Sequence, residues 1–374
     1  MSSDVLQLLS DLVRVPSVCG EETKIAEFIA EWLEKNRLPV EFLQVAPNRS
    51  NVITRLKSPQ KGPRVLLSGH MDTVEPGQGW TRDPFGAEVE GGRMYGRGTL
   101  DMKSGLACIL WAAAACKQEN LPRRGELVVA LVVDEEAISR GTHALVEKGI
   151  TEGMSLAMIS EATDLEVVTA HCGRAVFEIE VHGKTTHSDS PERGVNAIEK
   201  AALFVNSLLK SRGNHHPKIG STSFNTLKIE GGQEEVMMLP DRCRLVLDRC
   251  LVPGCTSEAA LEDLRRLATE LKVDADVKLK ARETPFAEPF ELSDDDPQVR
   301  LVVDVATEVL GKIPALGFHK GPCDSTILVN RGKVPTIEFG PCGSRFHEAD
   351  EYVELESVKK TASVYHELMR RLLS

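Results

Sequence analysis

The chain has 374 residues, 41% hydrophobic and 27% charged, with a formal net charge of −11. That is ordinary globular composition, with length enough for two domains. The acidic balance argues against nucleic acid or an anionic membrane as partner. No uninterrupted apolar run approaches the roughly 20 residues that span a bilayer. MSSDVLQLLSDLVRVPS lacks a basic segment ahead of a signal-peptide core, and nine scattered cysteines without paired CxxC spacing suit reduced thiols. A cytoplasmic location is the expectation.

In chain order, EETKIAEFIAEWLEK (21–35) places Ile25, Phe28, Ile29 and Leu33 at helical spacing, predicting an amphipathic helix. RVLLSGH (64–70), a helix MKSGLACILWAAAACKQ (102–118), LVVALVV (127–133), a helix around GTHALVEKG and SLAMISE (155–161) follow. Strands apolar on both faces that alternate with helices predict a mainly parallel α/β sheet. The pattern then changes. AVFEIEVH (175–182) and RLVLDRC (244–250) alternate apolar with polar, as an antiparallel sheet with one wet face does. Helices GVNAIEKAALFVNSLLK and TSEAALEDLRRLATEL accompany them, predicting a small α+β insert over 176–284. The basic stretch KSRGNHHPK (210–218) reads as a solvated loop. The α/β style resumes with VRLVVDVATEVLG, GPCDST and KVPTIEFG, so residues 1–175 and 285–374 are expected to form one domain that the insert interrupts.

The polar residues fall where a parallel sheet binds ligands, beyond the carboxyl ends of its strands. RVLLSG ends at His70 with Asp72 just beyond, LVVALVV ends at Asp134, Glu135 and Glu136, and SLAMIS ends at Glu161. PTIEFG leads through a short loop to His347, and YGRGTLDMKSG offers Asp101 at a helix start. Singly, each has an ordinary explanation as a turn former, an N-cap or a surface acid. Together they form a mixed imidazole and carboxylate set that suits zinc, with cobalt or manganese as alternatives. Five ligands with one shared carboxylate are enough for two metals about 3.5–4 Å apart. Two cations would also offset the repulsion among three successive acids, holding Glu136 and leaving Glu135 for proton transfer.

SGHMDTVEP, WTRDPFGAEVEGGRMYGRGTLDMKSG, DEE, SEATDL and FHEADEYV resemble the M20 metallopeptidase family, within it the acetylornithine deacetylase / succinyl-diaminopimelate desuccinylase branch. The likeness extends over essentially the whole chain, VHGKTTHSDSPERGVNAIEKA in the insert included. It implies that Asp101 bridges two metals, that His70 and Glu161 complete one site, and that Glu136 and His347 complete the other. Asp72 would hydrogen-bond His70 and fix its tautomer. Glu135 would be the general base. The insert would be a lid and homodimerisation domain, its His187 reaching the partner subunit's active site to stabilise the oxyanion. Asn196 reads as structural.

Three departures from the branch concern substrate binding. Met237 stands where an Asn is common and Cys250 where many members carry an Arg, while Cys342 replaces a usual glycine. Arg249 faces the opposite side of its strand from Cys250, so it is no automatic substitute. The expected function is a two-metal amidohydrolase acting on a small N-acyl amino acid. The alternatives are a dipeptidase or exopeptidase of the same family and a non-catalytic binding protein on this fold.

Overall fold

The computed structural model describes residues 4–210, 214–222, 224–233 and 237–374. Strand Glu126–Val132 sends Leu127, Val129 and Leu131 into one hydrophobic cluster and Val128, Ala130 and Val132 into another. Strand Arg64–His70 divides in the same way, Val65 and Leu67 against Leu66. Successive strand residues point to opposite faces, so runs apolar throughout need cover on both sides. Helices Ser104–Gln118, Pro297–Leu310 and Leu355–Leu373 contribute to the first cluster, and Arg140–Glu147 and Asp324–Asn330 to the second.

The centre of the nine-stranded sheet runs Glu126–Val132, Arg64–His70, Leu156–Ile159, Thr336–Glu338, each parallel to its neighbour. Antiparallel strands Arg49–Lys57 and Val167–His171 flank these four. The four parallel strands therefore end on one rim, and whatever follows them in sequence leaves the sheet there. Thr99–Gln118 is long and apolar enough to cross a membrane, with mean hydropathy 1.2, a length the individual apolar runs did not suggest. Its apolar stretch is 89% buried inside the fold, as a core helix is.

The chain divides into two compact units, Met1–Thr169 with Leu292–Gly317 and Cys323–Ser374, and Ala170–Glu291 with Phe318–Pro322. The second holds an antiparallel sheet in the order Phe224–Gly231, Arg242–Leu251, Gly173–His182, Ala275–Leu279. Phe177, Ile179, Val181, Leu245 and Leu247 pack with Phe204 and Leu264 of helices Ala197–Lys210 and Ser257–Glu270. The other face is charged, with Arg244 2.6 Å from Glu178 and Arg242 3.3 Å from Glu180. Asn196 caps the first of these helices, its Oδ1 accepting from the Ile198 N–H at 3.0 Å. Residues 211–213 of the basic stretch lie outside the described residues. His216 and Lys218 of that stretch reach Glu291 at 3.1 and 3.0 Å, so it is not wholly solvated.

One element was not foreseen. A small antiparallel sheet joins Gly343–Ser344, Tyr352–Glu354, Arg93–Tyr95 and Glu88–Glu90. Arg82 and Arg93 each lie 4.3 Å from a tyrosine ring centre, of Tyr95 and Tyr352 respectively. This sheet ties the segment before Asp101 to the segments on either side of His347.

Candidate metal centre and active site

His70 closes its strand with only 1% of its side chain exposed. Its Nδ1 lies 2.8 Å from the carbonyl oxygen of Asp72, which can only accept, so Nδ1 carries a proton and Nε2 is the nitrogen turned toward the carboxylates. The Asp72 carboxylate was expected to make this contact. It lies 3.7 Å from Nδ1 and instead accepts the backbone N–H groups of Glu135 at 3.2 Å and Glu136 at 3.0 Å. Asp72 therefore holds the imidazole by its main chain and the acidic turn by its side chain.

Asp101 sits between two imidazoles. Its Oδ1 is 3.0 Å from His70 Nε2 and its Oδ2 is 3.1 Å from His347 Nε2. His70 Nε2 is also 3.6 Å from Glu161, and His347 Nε2 is 3.0 Å from Glu136. Gly340, two residues beyond the Thr336–Glu338 strand, lies against the Glu161 carbonyl, where any side chain would collide, so a glycine is required for Glu161 to keep its place. All five predicted ligands thus lie within one chain of contacts, from Glu161 through His70, Asp101 and His347 to Glu136.

The electrostatics are those of a cation site. Burial works against a charged His70, but its bond to Asp101 and the negative charge of Glu161 and Glu135 hold its pKa well above 6.5. The bonds from His347 to Asp101 and Glu136 lift its pKa to about 10. Burial would raise Asp101, yet the two imidazoles hold it well below the ordinary carboxylate range. Glu135 and Glu161 are pushed well above that range, chiefly by burial, with His70 opposing and neighbouring acids adding. A set of carboxylates that either bind protons or draw them onto imidazoles is one that a divalent cation would relieve. His70, Asp101 and Glu136 each place a ligand atom within 4.8 Å of the others'. The donor types fit zinc or a similar cation.

The three successive acids separate by partner. Asp134, at φ 74°, turns inward and is 2.7 Å from Arg49 and 3.1 Å from Arg140, leaving Glu135 and Glu136 to the rim. Repulsion at Asp134 is thus relieved by guanidinium groups, whereas the sequence reading gave that task to cations alone. Arg49 Nε also lies 2.7 Å from Glu22, and the side chains of Glu22 and Asp134 are 0% and 1% exposed. Cys19, Glu22 and Asp72 also cluster within metal-ligand distance, but Arg49 already supplies the positive charge beside Glu22 and Cys19. Arg49→Ala would strand the buried Glu22 carboxylate and leave the buried Asp134 with Arg140 alone. We expect a loss of about 3–5 kcal/mol, read as a lower urea midpoint.

His187 lies in the second unit, 56% exposed, its Nδ1 accepting from the Asp189 N–H at 3.2 Å. Met237 is 64% exposed and Cys250 half-buried. Arg249 is 2% exposed, stacks 4.6 Å from the Phe224 ring centre and pairs with Asp263 at 3.6 Å, committed to the other face of the strand. Burial pushes the Cys342 thiol up to about 11, so it stays protonated and a poor ligand at neutral pH. The sequence reading missed Arg97 and Glu351. Both lie inside motifs that were read, but residues 254 apart in sequence give no local sign that they meet.

Residues 66–371 match the family described as Peptidase family M20/M25/M40. The chain is 28% identical over 387 residues to a succinyl-diaminopimelate desuccinylase of Methylorubrum populi, covering 99% of this chain and 98% of that one. It is 29% identical over 378 residues to the enzyme of that name from Methylorubrum extorquens, covering 96% of each. In fold it is similar to aminopeptidase PepT from Bacillus cereus, with TM-score 0.83, 22% identity and coverage of 99% and 98%. It is also similar to the Bacillus subtilis YXEP protein, a dinuclear metal binding peptidase from the M20 family, with TM-score 0.76, 18% identity and coverage of 99% and 97%. The chain belongs to peptidase family M20/M25/M40, hydrolases that act on amide or peptide bonds.

Proposed function

We propose that this protein is a two-metal amidohydrolase that removes the acyl group from a small N-acyl amino acid. The observation that carries the reading is Asp101, one oxygen facing each of two imidazoles, with Glu161 and Glu136 completing the two halves. His70, Asp101 and Glu161 would hold one cation and His347, Asp101 and Glu136 the other, zinc being the proposed metal. Bound there, the cations polarise the scissile carbonyl and lower the pKa of water. Glu135 takes the proton of the attacking water and delivers it to the leaving amine. Its backbone N–H, held by Asp72, fixes the base next to the Glu136 ligand.

The desuccinylase relatives favour an acyl-amino-acid substrate, while the exposed Met237 and half-buried Cys250 favour a pocket that grips something different. A dipeptidase or exopeptidase is therefore the second reading. Succinyl-, acetyl- and formyl-amino acids assayed beside dipeptides, on protein stripped by chelator and reloaded with zinc, separate the two. Activity should vanish on stripping and return with metal. No hydrolysis of any amide by the reloaded protein would reject both readings.

We also propose that the protein is a cytoplasmic homodimer joined through the second unit. Among the described residues, strand Phe224–Gly231 is an unpaired sheet edge, and its Leu227 and Ile229 are 56% and 52% exposed. Exposed edges of this kind invite pairing with another chain. In such a dimer His187 would act at the partner's centre as oxyanion donor. Mixing Glu135→Ala and His187→Ala subunits should then regain part of the activity, since one composite site is intact. A mixed dimer as inactive as its parents would exclude the cross-subunit role.

A further inference from the structure

We propose that Glu351, charge-paired with Arg97, is a positioning residue that clamps the Asp101 loop and so sets how tightly the centre holds its metal. The metal consequence rests on the reading above. The clamp rests on contacts alone. Glu351 Oε2 accepts from Arg97 Nη1 at 2.6 Å and from the Gly98 N–H at 3.0 Å. Its Oε1 accepts from the Leu100 N–H at 2.8 Å and the Asp101 N–H at 3.1 Å. An ionised carboxylate has about four lone-pair sites and no donor, and here four donors of one loop meet them.

The pair is fully enclosed, Arg97 at 1% and Glu351 at 0% exposure. Buried ion pairs are poor stabilisers, because desolvation cancels most of the attraction. Specifying one loop conformation is the better-supported role for this one. Arg97 is itself fixed, donating from Nη2 to the Pro76 carbonyl at 3.2 Å and lying 5.4 Å from the Trp80 ring centre. Gly98 adopts φ 79°, and a Cβ there would come within 2.7 Å of Thr73, so the loop that presents these N–H groups admits little else.

The arrangement grips Asp101 at both ends. The segment 347–351 places His347 Nε2 3.1 Å from the Asp101 carboxylate and the Glu351 carboxylate 3.1 Å from the Asp101 N–H. The small sheet anchors that segment, since Tyr352 pairs with Tyr95, just ahead of Arg97. Among the described residues no hydrogen bond or ion pair joins Glu351 to either imidazole, so its influence passes through the Asp101 main chain.

Glu351→Gln tests this with little change of shape. One oxygen becomes an NH2 donor that must face either the guanidinium or the loop N–H groups. Zinc affinity, measured by competition with a chromophoric chelator, should fall by about 10–100-fold, the range for lost outer-sphere support. The visible spectrum of the cobalt-loaded protein should shift. Amide exchange over 98–101 in stripped protein should speed up. Arg97→Lys keeps the charge and should move all three readouts the same way, and it decides the matter if Glu351→Gln does not fold. A folded variant with wild-type zinc affinity and wild-type exchange overturns the proposal. If the wild-type protein binds no zinc, the metal reading fails and amide exchange alone judges the clamp: faster exchange upholds it, unchanged exchange overturns it.

Discussion

Glu135→Ala is expected to lower kcat by about 10²–10⁴-fold, the usual contribution of a positioned general base, while zinc content stays at the wild-type level. The two halves of that result come from different atoms. The chain of contacts from Glu161 through His70, Asp101 and His347 to Glu136 does not include the Glu135 side chain. Its backbone N–H binds Asp72 and survives truncation, so Glu136 keeps its place. Burial and the nearby acids Asp324, Glu161 and Glu136 push the Glu135 carboxyl well above the ordinary range, against the pull of His70. Metal analysis alongside steady-state kinetics checks both parts. Turnover close to wild type would remove Glu135 from the mechanism, and loss of zinc would make it a ligand.

Asp101→Ala should have the larger effect on metal. It removes the oxygens that face both imidazoles, so zinc affinity should fall by more than the roughly 10–100-fold typical of outer-sphere losses, and hydrolysis should fall to background. The stripped protein provides a control independent of activity. Bonds to Asp101 and Glu136 raise the His347 pKa from 6.5 to about 10. A pKa raised on folding stabilises the fold fully below the unfolded value and loses that contribution as pH rises through the folded value. The Tm of stripped wild-type protein should therefore decline between pH 6.5 and 10, and the decline should be smaller in Asp101→Ala, which lacks one of the two bonds. His347 is 45% exposed, so solvent screens the amplitude and only the trend is diagnostic. Equal pH slopes in the two proteins would show that Asp101 does not govern this imidazole.

Much of the site was legible because the carboxyl ends of parallel strands are marked in sequence. Long apolar runs such as LVVALVV break off at polar residues, and a shared parallel sheet sends all such breaks to one rim. His70, Glu136 and Glu161 could be named on that basis, while the roles proposed for them came from the resemblance of whole motifs. What sequence could not supply was the division of labour within a motif. Asp134, Glu135 and Glu136 look alike in a row, and only the fold reveals that Asp134 turns toward Arg49 and Arg140. Asp72 supports His70 with its carbonyl and spends its carboxylate on the acidic turn, a choice made by backbone geometry. Strands of two or three residues carry no readable periodicity, so the small sheet around Tyr95 and Tyr352 left no trace in the pattern. That sheet brings Glu351 onto the Asp101 loop, a contact between residues 250 apart. Local hydrophobic periodicity determined where the strands end and hence which side chains gather there. The folded backbone and its long-range packing decided which oxygen of each acid faces which partner.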